Sequence, residues 1–575
     1  MHLVLIETSG NQNYIFSTNK LKENIGASEL TYQAGTKWVL EAVAQVSDLK
    51  LWDSDRKKLR ENLLNASLNK QIDSSNDIKV EVIVATSGKA ILLTRNHETA
   101  KKIIHEVTYR ALREAPGLDI CGVSREFEWE THRLGEVIRE VYKKFQSVRS
   151  QRPSPNLRFL RLPVVDECST SGLPASLQVD TISQKHISSV SAAKQAQSEQ
   201  ALVRISSLFK KDPPSIRSVK TIRELNTRFE EEVDWLSVIH ADGNGLGEIF
   251  LSLGNHVTNN RNYVNSYKKF SIALDICTEK AFLEALNVFT TKSKVLNLDK
   301  NKQEVIIPII PLILGGDDLT VVCDGKFALE FTQLFLKAFE GETASGHHVD
   351  GIIPEIAKTA LGVSRLSACA GVTIIKPHFP FSVAYELSEK LMKSAKVVKK
   401  KVVNSENNRS HPCSALDFHI LYDSSQVELE RIRNKLEIKS GQEKNQLHKR
   451  PYVVTSEAEL QGAKCLEWAN FHQWTKLQKQ TKALLAKDNE GRRQLPNSQM
   501  HELRSALFLG REVADARYKL IRDRYLNEEI ITLAGSEDSL FQLEPDSGIY
   551  MTGLLDALDV SDFLKIESEV DEQEK

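Results

Sequence analysis

The chain repeats itself. Residues 3–11 read LVLIETSGN and residues 236–244 read LSVIHADGN, each an apolar strand breaking at a Gly-Asn turn. A second strand and turn follows in both places, VIVATSGKAILLT at 82–94 and LILGGDDLTVV at 312–322. The spacing is 79 residues from Ser9 to Gly88 and 75 from Asp242 to Asp317. Each half continues through a helical pattern to another apolar segment, LDICGV at 118–123 and LSACAGV at 366–372. A solenoid repeats every ~20–50 residues; two copies this far apart read as a duplicated domain.

The repeated unit has β-α-β-β-α-β logic. In the second copy the pattern predicts a first strand over 235–241 and a helix over 265–289, where Phe270, Ala273, Leu274, Cys277, Ala281, Ala285 and Phe289 fall at helical spacing. Hairpin strands are predicted at 305–314 and 319–323, then a helix at 326–340, a strand at 367–375 and a helix at 380–401. Proline cannot donate to a sheet ladder, so Pro308 and Pro311 assign the first hairpin strand to an edge, where a ferredoxin-like sheet has its second strand.

Between the copies, the Ala/Ser/Gln-rich stretch 187–209 is predicted helical. After them, 424–440, 457–487, 498–527 and 554–568 are predicted helical, and the acidic tail ESEVDEQEK is predicted to fray. The division is 1–150, first copy; 151–230, linking helical region; 231–425, second copy; 426–575, C-terminal helical domain.

Of the 575 residues, 76 are Lys or Arg and 77 are Asp or Glu, a net charge of −1 that excludes a globally basic nucleic-acid coat. No apolar run approaches the ~20 residues of a membrane span, and no signal-peptide pattern opens the chain. The seven cysteines are scattered without a CxxC pair, so a disulfide framework is not expected and a reducing, cytoplasmic compartment is.

The candidate chemistry lies in the second copy. Gly315-Gly316-Asp317-Asp318 occupies a hairpin tip, where two glycines permit a tight turn and two adjacent carboxylates repel unless a cation relieves them. Asp242 ends the neighbouring strand. Three carboxylates converging at one end of a sheet make an oxygen site for hard divalent ions, two Mg²⁺ or Mn²⁺, with Asp242, Asp317 and Asp318 as ligands and catalytic residues. The loop Gly243-Asn244-Gly245-Leu246-Gly247 precedes a helix and suits close approach of phosphate to backbone amides. Lys396, on the last helix of the unit, is the phosphate candidate among a run of lysines. In the first copy Ser9 aligns with Asp242, and Thr86-Ser87-Gly88-Lys89 aligns with the acidic turn. That half is expected to hold no divalent ion, with Lys89 a possible nucleotide contact.

With these residues in place, the chain resembles the large palm-polymerase subunit of type III CRISPR effector complexes. Further stretches carry the resemblance: GNQNYIFSTNKLKENIGASEL at 10–30, LSACAGVTIIKPHFPFSVAYELSEKLMKSAK at 366–396, SALDFHILYDSS at 414–425, KRPYVV at 449–454 and LPNSQMHELRSAL at 495–507. The resemblance implies an α+β fold of two ferredoxin-like palm domains, one active and one degenerate, with an inter-palm helical region and a C-terminal helical bundle. It implies ATP as substrate and cyclic or linear oligoadenylate as product, with Asp242, Asp317 and Asp318 at the metals. Gly243, Asn244, Gly245, Gly247, Gly315, Gly316, Lys396 and Lys89 would then lie around nucleotide. Implied partners are CRISPR RNA and other effector subunits, met through the C-terminal domain. Many family members carry an HD nuclease ahead of the first palm, which is not expected here. Nor is their inter-palm zinc, since DECSTSGLPAS offers only Cys168, and His186 reads as a loop histidine. The expectation is a metal-dependent nucleotidyltransferase in antiviral defence. The alternatives are a scaffold or nucleotide-binding subunit with little turnover, and a defence enzyme acting without guide RNA.

Overall fold

The computed structural model describes residues 1–153, 155–176, 179, 185–209, 215–220, 233–257, 259–292, 304–406, 408–422, 427–440, 443–488, 490–525, 528–535 and 538–564. The fold is mixed α+β, with antiparallel sheets and many helices. Most of the KDPPS segment and the acidic tail lie outside the described residues, as does the end of the helix expected to reach 568.

The first sheet comprises β1 (His2–Ser9), β2 (Val80–Thr86), β3 (Lys89–Thr94) and β4 (Asp119–Glu126), in the order β2-β3-β1-β4 and antiparallel throughout. Helices Leu21–Gly35 and His97–Glu114 follow its first and third strands. The linking helix, expected over 187–209, runs Ser189–Ser206 and packs on Leu21–Gly35. The short strand β5 (Ser215–Ser218) comes next.

The second sheet repeats the first. Strand β6 (Leu236–Gly243) leads to the helix Asn260–Ala285, whose N-cap Asn259 accepts the Asn262 N–H at 2.8 Å. The hairpin strand expected over 305–314 is two strands, β7 (Glu304–Ile307) and β8 (Ile309–Gly315), divided at Pro308. Proline has no N–H to continue the ladder, so β7 turns away to pair with β5, and the Pro308 carbonyl accepts the Asp324 N–H at 3.1 Å. Strands β9 (Asp318–Asp324) and β10 (Ala368–Ile375) complete the unit, giving β10-β6-β9-β8 with β8 at the edge. Pro311 coincides with a register shift in that edge. The parallel strand β11 (Ala415–Ile420) extends the sheet beyond β10.

The C-terminal region departs from the expected helical bundle. The stretch 424–440 holds a short helix, Leu429–Lys435, followed by β12 (Glu437–Ser440). With β13 (Glu443–Gln446), β15 (Gln542–Leu543) and β16 (Tyr550–Met551) this strand forms a four-stranded sheet, while β14 (Tyr452–Val453) caps β11. The long expected helices are broken, 457–487 into Leu466–Phe471 and Trp474–Leu485, and 498–527 into Asn497–Leu507 and Arg511–Tyr525 at Gly510.

The two halves share a core. Alternate residues of a strand face opposite sides of its sheet. Leu236 and Val238 therefore join a cluster containing Val4, Ile6 and Leu92 of the first sheet, while Ile239 and Ala241 join the second half's own core. Strand β6 is buried on both faces, which explains its nearly continuous apolar run. Helix Leu21–Gly35 reaches the second half through the Ser28 hydroxyl, which donates to the Leu312 carbonyl. Among the described residues, no helix is long and apolar enough to cross a membrane.

Candidate functional site

Strand pairing builds the acidic site. Ala241 of β6 pairs with Leu319 of β9, so the next residues along the ladder, Asp242 and Asp318, stand side by side. Gly315 pairs with Asp318, which leaves Gly316 and Asp317 as a two-residue turn. Gly316 has φ +62°, a conformation that glycine adopts without a Cβ clash. One ligand atom from each of Asp242, Asp317 and Asp318 lies within 4.8 Å of the other two. All three residues are of intermediate burial.

Their charges are strongly perturbed. Burial, with the Asp242 carboxylate beside it, pushes Asp317 up to about 7. Burial and the two neighbouring carboxylates raise Asp318 well above the ordinary range. Burial also acts to raise Asp242, but the Lys396 ammonium more than offsets it and holds this group below its usual value. The Lys396 Nζ donates to Asp242 Oδ2 and reaches the Gly243 carbonyl at 3.3 Å. Beneath Asp242, His240 meets the Thr320 hydroxyl at 3.0 Å and is pushed down to about 4, mainly by burial. It is neutral near pH 7 and adds no cation.

Helix Phe381–Ala395, with Pro380 at its N-cap, crosses the site and borders two clefts. One, of about 1050 Å³, is lined by Gly245, Lys393, Lys396, Lys399, Lys400 and Arg409 among others. The other, of about 930 Å³, lies between the halves and is lined by Ser9, Gly10, Tyr14, Arg149, Arg161, Lys194, Tyr385 and Glu389 among others. The helix can serve both because it lies against β10. A Cβ on Gly371 would sit 1.9 Å from the Ser388 carbonyl oxygen.

The loop after Asp242 divides by role. Gly245, φ +71°, is the N-cap of the helix Leu246–His256, and Gly247 lies in its first turn. Asn244 was expected to face nucleotide, but its side chain is buried. Its amide donates to Ser367 Oγ at 3.0 Å and to the Cys413 carbonyl at 3.0 Å, so it ties the loop to β10.

The first half carries a charge-altered copy of this site, two residues out of the register expected from sequence. Asp242 pairs with Cys369 and neighbours Asp318, which closes its hairpin. In the first half Glu7 pairs with Cys121 and with Lys89, which closes the corresponding hairpin. Gly10, φ +62°, caps the next helix as Gly245 does. Glu7, not Ser9, is therefore the counterpart of Asp242, and Lys89 stands where Asp318 does. The Lys89 ammonium lies 4.9 Å from the centroid of the Tyr142 ring.

At the expected zinc-free position, Cys168 lies among hydroxyls, with Thr170 Oγ1 at 3.3 Å and Ser191 Oγ at 3.5 Å, and His186 is exposed. Sequence reasoning missed Asp275 and Thr278. Asp275 Oδ1 accepts the Gly316 N–H at 3.2 Å and the Thr278 hydroxyl donates to the Gly316 carbonyl at 2.6 Å. The available signal was an aspartate and a threonine one turn apart beside the apolar stripe of a predicted core helix.

No family model matches the chain, and no curated protein matches it. Among solved structures, Csm1 of T. onnurineus is 14% identical with a TM-score of 0.48, over 98% of this chain and 70% of that chain. A Csm1–Csm4 cassette in complex with AMPPNP is 12% identical with a TM-score of 0.44, over 92% of this chain and 64% of that chain. The apo Csm1–Csm4 cassette is 17% identical with a TM-score of 0.41, over 71% of this chain and 55% of that chain, so the match spans little more than half of it. Csm1 and Csm1–Csm4 cassettes are thus among the solved structures to which the chain is similar.

Proposed function

We propose that the protein is a metal-dependent nucleotidyltransferase of the palm type, the second half active and the first degenerate, which joins ATP into cyclic oligonucleotide messengers as a subunit of a type III CRISPR effector. The observation that carries this reading is the convergence of Asp242, Asp317 and Asp318 within 4.8 Å, with Lys396 of the adjoining cleft ion-paired to Asp242. The donor set fits Mg²⁺ or Mn²⁺: all oxygen, half-buried, and so crowded that two of its members hold protons far above the ordinary carboxylate range. Two such ions would activate a ribose hydroxyl and offset charge on the leaving group.

The chain's own residues supply position and charge. In the reaction the 3′-oxygen of one nucleotide bonds to the α-phosphorus of the next, the bond to the β-phosphate oxygen breaks, and pyrophosphate leaves. Lys396 is ion-paired to Asp242 here and exchanges that partner for phosphate when cations neutralise the carboxylates. Lys393, Lys399 and Lys400 line the same cleft and favour the triphosphate, and Gly245 leaves its part of the wall free of a side chain, with Gly243, Gly247, Gly315 and Gly316 around it as further nucleotide-binding candidates. The second nucleotide occupies the cleft between the halves, beside Tyr14, Arg149 and Lys194. CRISPR RNA and further subunits would meet the protein through its C-terminal region.

The test is incubation of the purified protein with each nucleoside triphosphate and Mg²⁺ or Mn²⁺, followed by mass spectrometry. Cyclic oligoadenylate is the expected product. Binding of nucleotide and metal without any phosphodiester product would instead support the nucleotide-binding scaffold.

A further inference from the structure

We propose that Arg60, Asp275 and Thr278 are positioning residues, through which the first half of the chain sets the backbone of the acidic turn in the second. The activity part of the claim rests on the function proposed above; the geometry does not.

The relay begins on the helix Arg56–Leu64, which belongs to the first half. Arg56 and Arg60 are one helical turn apart and face the same way. Their side chains are 9% and 14% exposed, so they are committed to partners rather than to water. Those partners, Asp275 and Glu279, are again one turn apart, on the helix Asn260–Ala285 of the second half. Arg60 donates to Asp275 Oδ2 from Nε at 2.9 Å and from Nη2 at 2.6 Å, and from Nη2 to Glu279 at 2.5 Å. Arg56 reaches Asp275 and Glu279, each at 3.4 Å.

The other oxygen of Asp275 accepts the Gly316 N–H, and Thr278, three residues on, donates to the Gly316 carbonyl. Both backbone polar groups of one turn residue are therefore held by one helix face. The next two residues are Asp317 and Asp318. A hairpin turn needs no such clamp, because its outward N–H and C=O can bond to water. Burying such an ion pair carries a desolvation cost that apolar packing would avoid. What the arrangement provides is a fixed position for Gly316, referenced to a helix from the other half.

The first half shows the contrast. There Ser87 holds the place of Gly316, and the next residue, Gly88, donates to the Thr31 backbone carbonyl at 3.0 Å while its carbonyl accepts the Thr8 N–H at 2.8 Å and the Thr8 hydroxyl at 3.1 Å. Among the described residues, no ion pair holds that turn. The charged relay stands at the turn that carries the carboxylates.

The test uses the full chain with Arg60→Gln, Asp275→Asn, Thr278→Val and the conservative Thr278→Ser. Three readouts apply: Mn²⁺ affinity by electron paramagnetic resonance, amide exchange over 312–322, and the split between kcat and KM. Arg60→Gln and Thr278→Val are expected to weaken Mn²⁺ binding by about tenfold, a ~1.4 kcal/mol effect. Exchange at the turn should quicken, and kcat should fall with KM nearly constant. Thr278→Ser keeps the hydroxyl and should match wild type. Folded variants with unchanged Mn²⁺ affinity and unchanged turn exchange would overturn the relay, as would a Thr278→Ser protein as impaired as Thr278→Val. Should Asp275→Asn not fold, the Arg60 and Thr278 variants decide the matter. If the wild type makes no product, the proposed function fails, while the Mn²⁺ and exchange measurements still judge the relay.

Discussion

Raising the pH from about 6 to about 8 should tighten divalent-ion binding much more than at an ordinary aspartate site, which is already ionised throughout that window. Asp317 titrates near 7, so only about a tenth of it is ionised at the lower pH and about nine-tenths at the higher. Its proton must leave before it can ligate an ion. That one group gives roughly a tenfold gain in affinity, and Asp318, also raised, steepens the slope. His240, near 4, is already neutral and contributes nothing to it.

Stability of the ion-free protein should run the other way. The folded pKa of Asp317 lies above its unfolded value of 3.8, so the folded state binds more protons between 3.8 and about 7, and stability falls as pH rises through that interval. At ~1.4 kcal/mol per pH unit the limit is of order 4 kcal/mol, and partial exposure of the group brings the expectation to roughly 1–2 kcal/mol. Two measurements check this. Calorimetric Mn²⁺ titration in buffers of different ionisation enthalpy should show net proton release near pH 6.5, and added Mn²⁺ should raise Tm more at pH 8 than at pH 6. Affinity constant across the window, with no proton release, would refute the picture of a crowded, partly protonated triad.

Replacing both Asp317 and Asp318 with Ala should abolish synthesis, assayed by product mass spectrometry, while Tm stays level or rises because repulsion is relieved. Asp242→Asn should be nearly as damaging, since it removes the charge that pairs with Lys396 and would bind metal; metal-dependent product near wild-type yield would contradict that role. Gly371→Ala should cost ~3 kcal/mol or more in chemical denaturation, because the new methyl has no space against the Ser388 carbonyl; an unchanged midpoint would show that the helix can move. Lys89→Ala should lower stability by under about 1 kcal/mol through the lost Tyr142 contact, and a raised nucleotide KM in the same variant would support the lysine as a nucleotide ligand.

Much of the second half was legible in the sequence because its signals are local. Gly-Gly between apolar strands marks the hairpin, Pro308 and Pro311 mark the edge, and the repeat ties Asp242 to the same sheet end. The repeat was read two residues out of register because the Gly-Asn dipeptides were matched to each other. A two-residue slip preserves which face each side chain takes, so periodicity could not expose the error. The pairing of Glu7 with Lys89 does. The C-terminal sheet went unread because two of its strands are two residues long, too short to alternate. Asn244 looks like a loop residue in sequence; only the fold brings Ser367 and Cys413 within reach of its amide. The Arg60–Asp275 pair is 215 residues apart and has no local signature.

The tight seat of helix Phe381–Ala395 on Gly371 bears on kinetics. A helix whose backbone touches a strand cannot slide or rotate to carry its last residue away from the carboxylates. Lys396, just past its end and about a quarter exposed, must leave Asp242 by turning its own side chain. In the proposed cycle, exchange of the lysine between carboxylate and phosphate would then need rotation of one side chain and no movement of the helix.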